Sequence, residues 1–167
     1  MQMKEIILTI NPFKDKLYRY ALRIVGDVME AEDVVQELLI KLWRKKEYFN
    51  TIDNKEAWCM TLARNLSIDK TRKKKFRTSD IANYHFIKDV GRSPYEQVQS
   101  KDNLGRIESI INGLSEKQKT VIQLRDIEGY SYREISEITG FTNSQVKVHL
   151  HRARQYLKKK INRKDYE

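Results

Sequence analysis

Ser131-Tyr-Arg-Glu-Ile-Ser-Glu-Ile-Thr-Gly-Phe-Thr-Asn-Ser-Gln-Val-Lys-Val-His-Leu-His-Arg-Ala-Arg154 is the stretch that decides the fold. It holds two helix starts, Ser131 with Glu134 and Thr142 with Gln145, each a hydroxyl followed three residues later by a long acceptor side chain. Gly140 stands between them, where the chain must turn sharply. Ile135 and Ile138 give the first helix an inward stripe, and Val146 and Leu150 do the same for the second. The spacing predicts a helix-turn-helix. Packed that way, Ser144, Gln145, Lys147, Val148, His151 and Arg152 point outward. Short polar groups near the helix start and bases further along suit a major groove, with phosphates reached by Lys and Arg. The competing reading is an amphipathic helix whose basic side is only solvated.

Moving outward from that stretch, Ser115 with Gln118 caps a helix carrying Val121, Ile122, Leu124 and Ile127, which Gly129 ends. Leu104, Ile107, Ile110, Ile111 and Leu114 mark another before it. From about Phe76 to Ser100 no period persists, and Gly91, Ser93 and Pro94 interrupt it, so a flexible linker is expected. Further back, Asn11-Pro12 is expected to open the first clear helix, with Phe13, Leu17, Tyr20 and Ile24 as its stripe. Gly26 stops that helix, and Asp27 with Glu30 caps the next, whose apolar positions are Ala31, Val34, Val35, Leu38, Leu42 and Trp43. Residues 47–56 lose the period and read as a loop, with Asp53 and Glu56 as a further capping box. The helix after it, Ala57 to about Arg72, is expected to bury Trp58, Leu62 and Leu66, with Cys59 and Ala63 as further candidates. The expected fold is all-α. Two small helical bundles, 1–75 and 103–167 with the helix-turn-helix at about 131–154, are joined by a linker over 76–102.

Hydrophobic residues are 40% of the 167 and charged residues 34%, enough apolar material for small cores and little to spare. Runs such as Ile6-Ile7-Leu8 fall far below the roughly 20 apolar residues that cross a bilayer. No membrane insertion and no secretory signal is expected, and the reading is cytoplasmic. One cysteine, Cys59, and three histidines give no zinc spacing, and His149 and His151 diverge on a helix, so no metal or other cofactor is expected.

The net charge of +10 points to a polyanionic partner. Its distribution says more: five acids and no base lie from Asp27 to Glu37, whereas Asn143 to Lys164 carries eight bases and no acid. An acidic helical face suits a protein partner better than DNA, although an ordinary solvated face would look the same. Glu32-Asp33 is a carboxylate pair, but adjacent helical residues diverge and no nucleophile or phosphate loop accompanies it, so no enzyme is expected.

Leu17-Tyr-Arg-Tyr-Ala-Leu-Arg-Ile-Val-Gly-Asp27, Ala31-Glu-Asp-Val-Val-Gln-Glu-Leu-Leu-Ile-Lys-Leu-Trp-Arg44 and Trp58-Cys-Met-Thr-Leu-Ala-Arg-Asn-Leu-Ser-Ile-Asp69 together resemble region 2 of bacterial sigma factors. Leu114-Ser-Glu-Lys-Gln-Lys-Thr-Val-Ile-Gln-Leu-Arg-Asp-Ile-Glu-Gly-Tyr-Ser-Tyr-Arg-Glu-Ile135 resembles region 4. With those two regions alone, the chain resembles the extracytoplasmic-function (ECF) group of the sigma-70 family. The resemblance implies binding to core RNA polymerase, through the β′ coiled coil and the β flap, and promoter recognition. Asp33, Gln36, Glu37, Leu38 and Lys41 become candidates for the polymerase contact. The minus-10 strand would be read by Asn50, Thr51, Asp53, Asn54, Trp58, Arg64, Asn65 and Arg72, with Lys70 and Lys73 available for phosphates. Capture of an unstacked base needs a polar lip, an apolar wall and bases behind it. Trp58 could equally be core. Thr61 stands where many relatives carry a base, which removes one phosphate contact.

On the minus-35 side the resemblance adds Arg125, which precedes the helix-turn-helix, to the DNA-facing residues and keeps Lys147, Val148, His151 and Arg152. It also replaces a common Gly-Thr-Val-Lys with Ser144-Gln-Val-Lys147, implying a different sequence preference. An anti-sigma factor is a further partner that the resemblance admits. The rival classes are a stand-alone helix-turn-helix regulator, in which the acidic face and the loop before Trp58 would have no duty, and an RNA-binding module, for which the aromatic strand pattern is missing.

Overall fold

The computed structural model describes residues 2–77 and 105–162. The chain divides into two units. The expected linker lies outside the described residues except for Phe76 and Arg77, which continue a helix rather than begin a tether.

In the first unit, α1 (Met3–Ile10) leads through a 3₁₀ turn (Asn11–Phe13) into α2 (Lys14–Val25). There follow α3 (Val28–Arg44), the short α4 (Lys46–Asn50) and α5 (Lys55–Arg77). α2 packs against both α3 and α5, and α1 against α3. Ile6, Leu17, Tyr20, Ala31, Val34, Leu38, Leu42, Phe49, Met60 and Ala63 are fully buried and form the core. Gly26 adopts φ 71°, the left-handed conformation that ends α2, and its N–H reaches the Leu22 carbonyl at 2.8 Å. Asp27 then caps α3, accepting from the Glu30 N–H at 2.9 Å.

Several expectations change here. α1 precedes the expected first helix, since Ile6 and Ile10 supply a buried stripe of only two residues, too short to stand out as a period. Asn11 and Pro12 form the 3₁₀ turn instead of capping α2, and Ile24 is only half-buried. Trp43 leaves the core stripe and is 38% exposed. Residues 47–56 are not all loop: Phe49, with no exposed surface, anchors α4. Five residues are too few for a helical period to register, so burial of one large side chain decides the conformation. The cap of α5 is Asn54, which accepts from the Ala57 N–H at 2.9 Å, not Asp53. The start is displaced by one residue, and Glu56 is turned toward α2, where it meets Lys16 Nζ at 2.9 Å. Consequently Trp58 and Leu62 are half-buried, while Ala57, Cys59, Met60, Ala63, Leu66 and Ser67 form the inner face.

In the second unit, α6 spans 105–112, followed by α7 (Glu116–Ile122), a π turn (Gln123–Ile127), α8 (Tyr132–Thr139) and α9 (Asn143–Asn162). Leu114, Val121, Leu124, Tyr130, Ile135, Val146, Leu150 and Ala153 form its core, and Ile138 is buried too. All three capping boxes exist, and in the first the Ser115 N–H donates to Gln118 Oε1 at 3.0 Å while the Gln118 N–H donates to Ser115 Oγ at 3.2 Å. Ser131–Glu134 (2.8 and 3.1 Å) and Thr142–Gln145 (2.9 and 3.1 Å) repeat the pattern. Gly140, at φ 78°, makes the turn, and the Ser136 hydroxyl donates across it to the Phe141 carbonyl.

Ile127, expected inside, is 66% exposed. Its helix widens into the π turn, where the Glu128 N–H reaches back five residues to the Gln123 carbonyl at 2.9 Å, and the inserted residue rotates the last positions out of phase. On α6, Ile107 and Ile111 face solvent, Leu104 lies outside the described residues, and burial begins at Leu114. A Cβ on Gly113 would overlap the Tyr156 hydroxyl of α9, so the bare backbone there is what admits that side chain.

Candidate nucleic-acid interface

The outward face of α9 matches the sequence expectation. Ser144, Gln145, Lys147, Val148, His151 and Arg152 are all exposed, while Val146, Leu150 and Ala153 are buried on the opposite side. Gln145 Oε1 is held by the Thr142 N–H, which leaves its amide N–H₂ as the outward donor. Arg154 is removed from the basic face: its Nε and Nη2 grip Asp126 at 3.1 and 2.6 Å, a bidentate pair that ties the π turn to α9. That hydrogen bonding raises the Arg154 pKa.

Arg125, the other expected DNA contact, is half-buried, donating to the Tyr130 carbonyl at 2.9 Å and lying 5.0 Å from the Tyr132 ring centre. It braces the segment leading into α8. His149 leans on Phe141, ring centres 5.6 Å apart, and its pKa is lowered by burial first and then by Lys117 and Arg152. Among the described residues no group of His, Cys, Asp and Glu is placed to hold a metal.

The end of α4 and the loop after it expose Asn50, Thr51, Asp53 and Asn54. The polar atoms of this segment are largely spent within it. Thr51 Oγ donates to the Tyr48 carbonyl at 2.7 Å, and Lys55 Nζ donates to the Ile52 carbonyl at 2.8 Å and the Asn50 carbonyl at 3.4 Å. Trp58 is half-buried, with Tyr48 edge-on at 6.2 Å and Phe49 tilted at 5.9 Å. Tyr48 is 59% exposed and was not among the expected residues; the aromatic pair Tyr48-Phe49 standing ten residues before Trp58 was its signal.

Along α5, Asn65, Arg72 and Lys73 are exposed, and Arg64 and Lys70 half-buried. Arg64 and Arg23 both act on the buried Tyr20 hydroxyl, whose pKa burial raises against their pull. The Thr61 hydroxyl donates to the Ala57 carbonyl at 2.9 Å, so it is engaged with the backbone. Cys59 is no nucleophile, because burial pushes its thiol up to about 12.

On α3, Asp33 and Gln36 are exposed, and Glu37 pairs with Lys41 at 3.8 Å along the helix. Leu38 is not on that face: it is fully buried and holds the helix to its neighbours. Met29, Ile40 and Trp43, all exposed, share the outward face with Asp33 and Gln36, and Lys46 Nζ lies 4.4 Å from the Trp43 ring centre. An apolar strip rimmed by charge is the anatomy of a protein interface rather than of a DNA contact.

Comparison with known proteins agrees with both units. The sigma-70 region 2 family matches residues 9–77 and the sigma-70 region 4 family residues 104–157. The ECF RNA polymerase sigma factor SigW of Bacillus subtilis is 33% identical over 161 residues, 91% of this chain and 86% of that protein. SigL of Mycobacterium tuberculosis is 36% identical over 138 residues, 82% of this chain and 77% of its own. Among solved structures, the sigma factor RpoE of Bartonella quintana, in complex with the anti-sigma factor NepR, is 27% identical with a TM-score of 0.72, covering 95% of this chain and 98% of that one. CnrH, solved with the cytosolic domain of CnrY, shares the fold at 19% identity and a TM-score of 0.62, over 97% of this chain and 88% of that one. The chain therefore belongs to the sigma-70 family as an ECF RNA polymerase sigma factor, a transcription factor that binds core polymerase and directs it to promoters.

Proposed function

We propose that the two units divide promoter recognition, with α9 reading duplex DNA at the minus-35 element and the loop over 50–54 with Trp58 capturing the minus-10 strand. The outward face of α9 is the observation that carries this reading, because its short polar groups precede Lys147 and Arg152 and no acid interrupts it. In the first unit, the exposed loop lip, the Trp58 wall and the bases Arg72 and Lys73 support strand capture. Asp33, Gln36, Ile40 and Trp43 form the polymerase-docking face, with Glu37 and Lys41 at its edge. The protein works in the cytoplasm, catalyses nothing itself, and has an anti-sigma factor as a further partner. The test is co-purification with core polymerase followed by transcription from a library of promoter fragments. Discrete transcripts that require both core and this chain are expected. Regulation of transcription without retention on core would replace this reading with a stand-alone DNA-binding regulator.

A further inference from the structure

Lys55 is the first residue of α5, and a cation at that end opposes the helix dipole. Its ammonium does not escape into solvent. It folds back over the preceding loop, donating to the Ile52 carbonyl at 2.8 Å and the Asn50 carbonyl at 3.4 Å, and lies 5.7 Å from the centre of the buried Phe49 ring. These contacts close the bend from both sides: two carbonyls of the loop are drawn to one charge, and that charge rests on the residue that anchors α4. Asn54 fixes the far end of the bend by capping α5, and Thr51 Oγ fixes the near end on the Tyr48 carbonyl.

We infer that Lys55 is the positioning residue of the strand-capturing loop, holding residues 50–54 in their bend before DNA arrives. The inference rests on the proposed role of that loop in reading the minus-10 strand. Its physical basis is preorganisation. A five-residue bend left loose must be ordered at the moment a base is captured, and that entropy is subtracted from the binding of the unstacked strand. A loop already tied to Lys55 meets the base without that cost, and only the correctly shaped base gains the full contact. The ammonium thus acts on the rate and fidelity of opening, not on attachment to the duplex.

The test reconstitutes holoenzyme with wild type, Lys55→Met and Lys55→Arg, and selects opened templates from a promoter library randomised at both elements. Methionine keeps the aliphatic stem over Phe49 and removes the donors; arginine restores charge and donors. Lys55→Met is expected to slow permanganate-detected opening by about tenfold, the worth of a charge-assisted hydrogen bond, and to flatten base enrichment in the minus-10 segment. Enrichment at the minus-35 segment and retention on core should stay at wild-type level, and Lys55→Arg should recover most of the loss. Opening and enrichment within twofold of wild type in Lys55→Met would overturn the inference. Equal defects in both variants, accompanied by weaker core retention, would also overturn it by making Lys55 a residue of general stability. Asn50→Ala and Asp53→Ala are run beside them. If those leave the minus-10 enrichment intact, the loop is not the reader and the underlying assignment fails; if they flatten it while Lys55→Met does not, only the positioning role fails.

Discussion

The recognition helix and the loop before α5 are proposed to read the same promoter, yet they are built in opposite ways. α9 is a rigid rod with its own capping box, and its six outward residues are placed by helical periodicity alone. The loop over 50–54 owes its shape to contacts from elsewhere: Phe49 in the core, Asn54 on α5, Lys55 folded back, Trp58 behind. A duplex offers a regular groove, which a regular helix fits. An unstacked base offers no such regularity and requires a tailored pocket. On the proposed assignment, each construction suits the state of the DNA it meets.

The sharpest way to separate the roles is in α3, where buried and outward residues alternate on one helix. Leu38→Ala should destabilise the first unit by about 3 kcal/mol, through lost burial plus a cavity, and reduce core binding only by unfolding that unit. Trp43→Ala should leave the melting transition in place and weaken core binding by about 2 kcal/mol, as expected for an aromatic anchor rimmed by charge. Charge reversal at Asp33 should act in the same direction with a smaller effect. Calorimetry together with pull-down on core distinguishes these cases. Equal losses of stability in Leu38→Ala and Trp43→Ala would erase the distinction between the two faces.

Smaller effects probe the second unit. Replacing Lys147 or Arg152 with Ala should flatten the salt dependence of duplex binding by about one counterion-release unit if the contact is to phosphate, or relax base preference if it is to a base edge. Arg154→Ala should instead loosen the tie between α9 and the π turn while changing the salt slope little, because Asp126 already balances that charge. Fluorescence anisotropy over a salt series reads both.

The smallest effect is a pH dependence. His149 has a folded-state pKa below its ordinary 6.5, from burial first and then from Lys117 and Arg152. The unfolded chain therefore holds that proton more tightly, so the His149 contribution to stability is complete above pH 6.5 and declines as pH falls through that value toward the folded-state pKa. Thermal melts at a series of pH values should show the second unit losing stability on acidification, with a shallower slope in His149→Gln.

What the sequence made legible follows the same division. Ser131, Gly140, Thr142 and the stripe through Val146 and Leu150 act through local chemistry, and each appears where its spacing placed it. Ile127 failed because a π turn adds a residue that no side-chain pattern announces. In the first unit the misses share a cause in tertiary packing. Phe49 makes a helix of five residues because the core has room for its ring, and Asn54 displaces Asp53 as the cap because that register frees Glu56 for Lys16 on α2. Leu38 and Trp43 exchanged roles: one candidate contact proved to be core, and one candidate core residue proved exposed. Apolar residues on both sides of α3 blur the stripe, since Met29, Ile40 and Trp43 lie outward while Val34, Leu38 and Leu42 lie inward.

Permanganate footprinting of holoenzyme on a duplex promoter and on the same promoter melted in advance across the minus-10 segment addresses the division of labour most directly. Thr51→Ala and Asp53→Ala should bind the duplex like wild type, open it slowly, and regain much of their activity on the melted template, whereas Lys147→Ala and Arg152→Ala should bind both templates weakly. Loop variants that lose duplex binding as severely as the α9 variants would contradict the assignment of duplex reading to one unit and strand capture to the other.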